Sequence, residues 1–192
     1  KDEDIIAYKK EINKNPLILD NYLMLGLLYE ERGKYTEALE QANKGLSIPK
    51  IKALAYDPET NKIEKAIKVN QRLFWGLKLM KSRIYFSQKK FYKTIIELNQ
   101  IIKDNPKQIK ESYLGGETYY LLGRAYYKLN KYEKALNNYQ QALKYHENYD
   151  YVYNGIAYVY LKQGLKKEAL EIFEKNINLN PASSNSYDSL GE

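Results

Sequence analysis

Tyr119-Tyr120-Leu121-Leu122-Gly123-Arg124-Ala125-Tyr126, with Tyr132-Glu133-Lys134-Ala135-Leu136-Asn137-Asn138-Tyr139 beginning six residues after Tyr126, is a pattern that returns along this chain. Its core recurs as Leu25-Gly26 to Tyr29, and in weaker form as Lys81-Ser82 to Tyr85 and Ile156-Ala157 to Tyr160. Six residues after each tyrosine stands Tyr35, Phe91, Tyr132 or Lys166. Three further on comes Ala38, Thr94, Ala135 or Ala169, and four beyond that Ala42, Leu98, Tyr139 or Phe173. Asn-Pro closes three of the segments, at Asn15-Pro16, Asn105-Pro106 and Asn180-Pro181. From Gly123 to Ala157 the step is 34 residues, and from Ala157 to Gly191 it is 34 again.

Each segment reads as two antiparallel helices. A small residue in the first and an alanine in the second let the backbones come close, where larger side chains would hold the axes beyond about 8–10 Å. The tyrosine and the second-helix aromatic fill the remaining space, and a phenol ring can be buried while its hydroxyl reaches a polar partner. The turns carry Gly33, Asn130 and Gly164, residue types that accept the left-handed conformation ending a helix. Pro106 and Pro181 follow helix ends, where a missing N–H costs nothing.

These residues resemble the tetratricopeptide repeat, whose pattern is Trp-x2-Leu-Gly-x2-Tyr, then Ala-x3-Phe, then Pro, over about 34 residues. Tyr22, Tyr119, Tyr153 and Tyr187 stand at the opening aromatic position; Lys78 departs from it, and Lys81 replaces the leucine, so the second repeat matches least well. The resemblance implies an all-α, right-handed superhelical solenoid of antiparallel helix pairs. It divides the chain into a second helix or cap at 1–16, repeats at 19–49, 71–106, 112–147 and 150–181, an insertion at 48–70, and the start of a further repeat at 184–192. The chain therefore reads as a piece of a longer protein. Its last residues, Asn185 to Glu192, are similar to repeat segments common in bacterial tetratricopeptide proteins, some of which carry hydrolase domains.

Two irregularities interrupt the period. Gly26 to Ser82 is 56 residues, 22 more than 34. Asp57-Pro58-Glu59 has the form of a helix start, with an N-cap acid, Pro at the first position and an acid in the first turn. Ile63, Ala66, Ile67, Asn70, Phe74, Leu77 and Ile84 then follow at helical spacing. A loop and one long helix from about Thr60 to Ser87 are predicted, with a hairpin around residues 58–61 as the alternative. Ser82 to Gly123 is 41 residues, seven too many. Either the helix starting near Gln108 is lengthened or Gly115-Gly116 breaks it; paired glycines favour the break.

The composition excludes several kinds of chemistry. The 192 residues are 44% hydrophobic, enough for a buried core. No cysteine is present, which removes disulfides, thiolate metal sites and cysteine nucleophiles. There is one histidine, His146, near the end of a second helix, where a cation suits the helix dipole and no second histidine partners it. No metal-ligand spacing and no phosphate loop after a strand is found, so no enzyme activity, cofactor or metal is expected. No apolar run approaches the roughly 18 residues of a membrane span, and no apolar segment follows the charged Lys1-Asp2-Glu3-Asp4. The net charge of +7 is carried largely by lysines on predicted solvent faces.

Function is then sought on the first helices. In the tetratricopeptide family the stripe opposite the packing face lines a concave groove that holds a peptide. By position, the second repeat offers Leu79, Arg83 and Phe86 to that groove, the third Tyr120, Arg124, Tyr127 and Lys128, and the fourth Asn154, Tyr158, Leu161 and Lys162. The stripe extends to Tyr151, and in the first repeat it is Asp20, Leu23, Leu27 and Glu30. Arg and Tyr are the residue types of binding hot spots. The expectation is a protein-interaction scaffold whose later groove takes another protein or peptide, an acidic or C-terminal segment. Two alternatives stand beside it. Helical repeats with interleaved Tyr and Lys can stack and neutralise single-stranded RNA, though irregular spacing spoils a one-base-per-repeat code. The repeats can also be the non-catalytic part of a larger enzyme.

Overall fold

A computed structural model describes residues 2–49, 63–104 and 113–183 of the chain. Among them the regular structure is helical: α1 (Asp2–Lys14), α2 (Leu19–Glu31), α3 (Tyr35–Ser47), α4 (Ile63–Ser87), α5 (Phe91–Asp104), α6 (Tyr113–Lys128), α7 (Tyr132–Leu143), α8 (Asp150–Lys162) and α9 (Lys166–Leu179). The fold is all-α. Two compact units divide it, Lys1–Lys90 and Phe91–Glu192.

In the first unit α2 packs on α3, and both pack on α4. The core gathers Leu19, Leu25, Ala38, Ala42, Leu77, Met80 and Ile84, all essentially without solvent contact. Gly26 serves this packing, though through a side chain more than through close backbones. A Cβ built there would meet the Met80 methyl at 2.5 Å, whereas the Ala38 carbonyl is 3.7 Å away. In the second unit α6 packs on α7, α7 on α8, and α8 on α9, around Tyr139, Val152, Ile156 and Val159 and then Ala157, Ala169 and Phe173.

Four of the turns that end helices share one hydrogen-bond scheme. The Lys34 N–H donates to the Tyr29 carbonyl and the Gly33 N–H to Glu30; the same pair of bonds joins Lys90 to Tyr85 and Lys89 to Phe86. In the second unit Lys131 and Asn130 donate to Tyr126 and Tyr127, and Leu165 and Gly164 to Tyr160 and Leu161. This is the six-to-one and five-to-two closure of a Schellman motif, which needs one left-handed residue. Gly33, Asn130 and Gly164 supply it as their sequence predicts, and Lys89 supplies it at φ 58° in the turn that lacks a glycine. Two of the opening tyrosines are also tied down alike: the hydroxyl of Tyr22 donates to the Pro16 carbonyl, and that of Tyr153 to the Glu147 carbonyl, each six residues back.

Two expectations meet the structure differently. Residues 63–87 form one continuous helix, α4, where the apolar spacing predicts a long helix; residues 50–62, including Asp57-Pro58-Glu59 and the alternative hairpin, lie outside the described residues. The helix is not broken at Gly115-Gly116, as the paired glycines predict, because both lie in the first turn of α6. There the N–H groups have no partner inside the helix in any case, so glycine weakens little. A Cβ on Gly116 would stand 3.2 Å from that of Tyr145, so the glycine makes room for the residues just after α7. Asn105-Pro106 and residues 184–192 also lie outside the described residues.

Candidate peptide-binding cavity

The sequence of α6 places Tyr120, Arg124, Tyr127 and Lys128 at intervals of four, three and one, so they share one helix face. On α8, Tyr151, Asn154, Gly155 and Tyr158 share another. The two faces meet over Tyr139 of α7 and enclose a cavity of about 270 Å³ lined by these residues. Seven of the predicted groove residues thus come together in one place: Tyr120, Arg124, Tyr127, Lys128, Tyr151, Asn154 and Tyr158.

The cavity is aromatic within and cationic at its rim. The Arg124 guanidinium lies 5.6 Å from the centre of the Tyr120 ring, and the Lys128 ammonium 5.8 Å from that of Tyr127. Tyr120 also packs with Tyr149 and Tyr151, with ring centres 5.5 and 6.4 Å away. Burial pushes the Tyr120 hydroxyl above its ordinary pKa; the Arg124 charge works against this, while Tyr151 and Asp150 add to it. Burial likewise raises Tyr127, and raises Tyr139 far more. These phenols stay protonated and neutral at physiological pH.

A polar strap fixes the α8 wall. Asn176 of α9 is wholly buried. Its Nδ2 donates to Asn154 Oδ1 at 2.8 Å and to the Asp150 carbonyl at 3.1 Å, and its own Oδ1 accepts from Asn180. Ser183 closes the strap with a hydrogen bond to the Asp150 carboxylate at 2.6 Å. Asn154, 5% exposed, is therefore a buried member of the wall with a set orientation.

The other predicted residues lie elsewhere. Leu161 and Lys162 are exposed at the end of α8, beyond the cavity lining. Leu79, Arg83 and Phe86 belong to the first unit. Leu79 is 1% exposed, so it is a packing residue and is corrected from the groove assignment. Arg83 is partly buried and grips Glu30 with two parallel bonds, Nε to Oε1 at 2.9 Å and Nη2 to Oε2 at 2.8 Å. Phe86 is half-buried. Sequence reasoning missed Tyr139 and Gly155. Tyr139 had been given to the packing slot, and the only signal for Gly155 was a second small residue beside Ile156-Ala157.

The first unit has a cavity of its own, about 380 Å³, among α1, α2 and α3. Its charges are engaged locally: Lys44 pairs with Glu40 at 2.6 Å, and Lys9 lies 5.9 Å from the Tyr29 ring centre. His146 is exposed and packs beside Tyr149. Among the described residues no three His, Asp or Glu side chains gather as a metal-ligand set, and no helix is long and apolar enough to cross a membrane.

Comparison with known families gives the same reading as the geometry. The tetratricopeptide repeat profile matches residues 19–50 and 151–183, and a related TPR repeat profile matches residues 123–164. This chain is a tetratricopeptide repeat protein. The matched repeats are α2 with α3, the stretch from mid-α6 to the turn after α8, and α8 with α9. The α4 and α5 region, where Lys78 and Lys81 depart from the pattern, is not among them. Solved structures share the tetratricopeptide fold at low sequence identity. A crystal structure of MamA aligns with a TM-score of 0.66 and 20% identity, covering 92% of this chain and 86% of that one. MamA from Desulfovibrio magneticus RS-1 gives 0.69 and 16%, covering 95% and 87%. YrrB, described as a TPR protein with an unusual peptide-binding site, gives 0.52 and 14%, covering 97% and 98%. A search of the curated proteins finds no match to the sequence.

Proposed function

We propose that this tetratricopeptide repeat protein is an interaction scaffold that binds an acidic peptide segment through the cavity between α6 and α8. The observation that carries the reading is the convergence of Arg124 and Lys128 on the rim of a tyrosine-walled cavity. Aromatic walls bury the apolar part of a peptide with little loss of side-chain freedom, and the cations select for negative charge. Asp150, at the start of α8, accepts from Ser183 and from the Tyr151 N–H. YrrB shows that a protein of this fold can carry a peptide site.

Selection of a random peptide library on the purified protein tests the reading. Enrichment of acidic sequences is expected. The enriched peptides should lose roughly tenfold or more in affinity to the Arg124→Ala, Lys128→Ala double variant, which is about 1.4 kcal/mol. Enrichment of neutral or basic peptides, or unchanged affinity for the double variant, rejects it.

A further inference from the structure

We infer that the cavity is a socket for one glutamate side chain of the bound segment, with the Tyr139 hydroxyl as the hydrogen-bond donor at its floor. The inference rests on the groove reading above and assigns its anchor. Tyr139 is 1% exposed, yet it lines the cavity. Its hydroxyl end sits beside Gly155, where an added Cβ would stand 3.0 Å from the oxygen. Among the described residues that hydroxyl has no hydrogen-bond partner, whereas the buried tyrosines Tyr22 and Tyr153 each have a backbone carbonyl. That hydroxyl opens into the cavity and can donate to an acceptor that enters it.

The shape and charge of the socket choose among acceptors. A volume of about 270 Å³ admits a side chain but not a folded element. The rings of Tyr120, Tyr127 and Tyr158 offer apolar walls but no N–H donors, which suits a methylene stem. Arg124 and Lys128 stand at the rim and favour an anion. A carboxylate accepting from a neutral phenol forms a short, charge-assisted hydrogen bond. Two methylenes carry the glutamate carboxylate past the rings; a chain-terminal carboxylate has no such stem. Asp150, whose charge reaches Tyr120, opposes the second negative charge of a phosphate dianion.

The test is a titration of the whole chain, labelled at its tyrosine rings, with four probes followed by nuclear magnetic resonance. The probes are N-acetyl-glutamate amide, N-acetyl-glutamine amide, N-acetyl-alanine and N-acetyl-phosphoserine amide. The blocked glutamate should move the Tyr139 ring signals saturably at millimolar concentration and bind most tightly. Tyr139→Phe keeps the ring and removes only the hydroxyl; it should weaken the blocked glutamate about tenfold, the scale of one hydrogen bond to a charge. Gly155→Ala, which crowds the hydroxyl, should weaken it too. Tighter binding of N-acetyl-alanine or the phosphoserine probe, no movement of Tyr139, or unchanged affinity in Tyr139→Phe overturns the socket. If library peptides bind and depend on Arg124 and Lys128 but ignore Tyr139→Phe, the groove reading stands and the glutamate socket falls.

Discussion

The ring of Tyr139 occupies the place where a side chain on Gly123 would be. A Cβ on Gly123 would lie 2.5 Å from two carbons of that ring, closer than real contacts allow. In this repeat the small residue is thus a recess for the partner helix's aromatic. Gly123→Ala should destabilise the protein. Overpacking costs about 1–3 kcal/mol, and the better helix propensity of alanine offsets up to about 1, so a net loss near 1–2 kcal/mol is expected from urea denaturation. Equal or greater stability would mean that the ring has room to move.

The Arg83–Glu30 pair spans 53 residues of sequence within the first unit. Its geometry is bidentate, and both side chains are partly buried, with 30% and 18% of their surface exposed. A double-mutant cycle with Arg83→Ala and Glu30→Ala should give a coupling of about 0.5–1 kcal/mol, allowing for solvent screening. The coupling should shrink in high salt. Zero coupling at low salt would mean that the pair adds nothing to the fold.

Alkaline pH should weaken the second unit through its phenols. Burial raises the pKa of Tyr139 far above the ordinary value of 10, and raises Tyr119, Tyr120, Tyr127 and Tyr145 as well. The folded state then holds protons that the unfolded chain releases, so stability is constant below pH 10 and falls as pH rises beyond it. Tyr139→Phe should flatten the fall, because phenylalanine has no proton to lose. Parallel curves for variant and wild type in denaturation across this range would remove Tyr139 from the effect.

Replacing Asn176 with Leu should disturb both fold and site. The Asp150 carbonyl and Asn154 Oδ1 lose a shared donor in a buried place, and each unsatisfied group costs about 1–3 kcal/mol. A loss of roughly 2 kcal/mol or more is expected in thermal or urea unfolding. At temperatures where the variant remains folded, affinity for a cavity-binding peptide should also fall, since Asn154 is no longer held. Unchanged affinity would make the strap purely structural.

Much of this architecture was legible in the residues. Gly26, Ala38, Gly123 and Ala135 at fixed intervals announced paired helices, and Gly33, Asn130 and Gly164 marked the turns that close them. These signals are local: each depends on side chains within a dozen residues of one another, or on one backbone angle. Lys89 shows the limit, since a lysine takes the same left-handed position with no glycine or asparagine to mark it. Gly115-Gly116 shows it from the other side: glycines read as a break lie inside a helix.

The order of residues alone determined which positions are small, aromatic or charged on each helix, and so the family of folds. Tertiary packing decided the rest. It buried Leu79, drew Arg83 onto Glu30, and gathered Tyr120, Arg124 and Lys128 with Asn154 and Tyr158 over Tyr139. The reason is physical. Helical periodicity states the direction a side chain takes from its own axis, but what meets it there belongs to another helix, and its place is set by contacts made across many intervening residues.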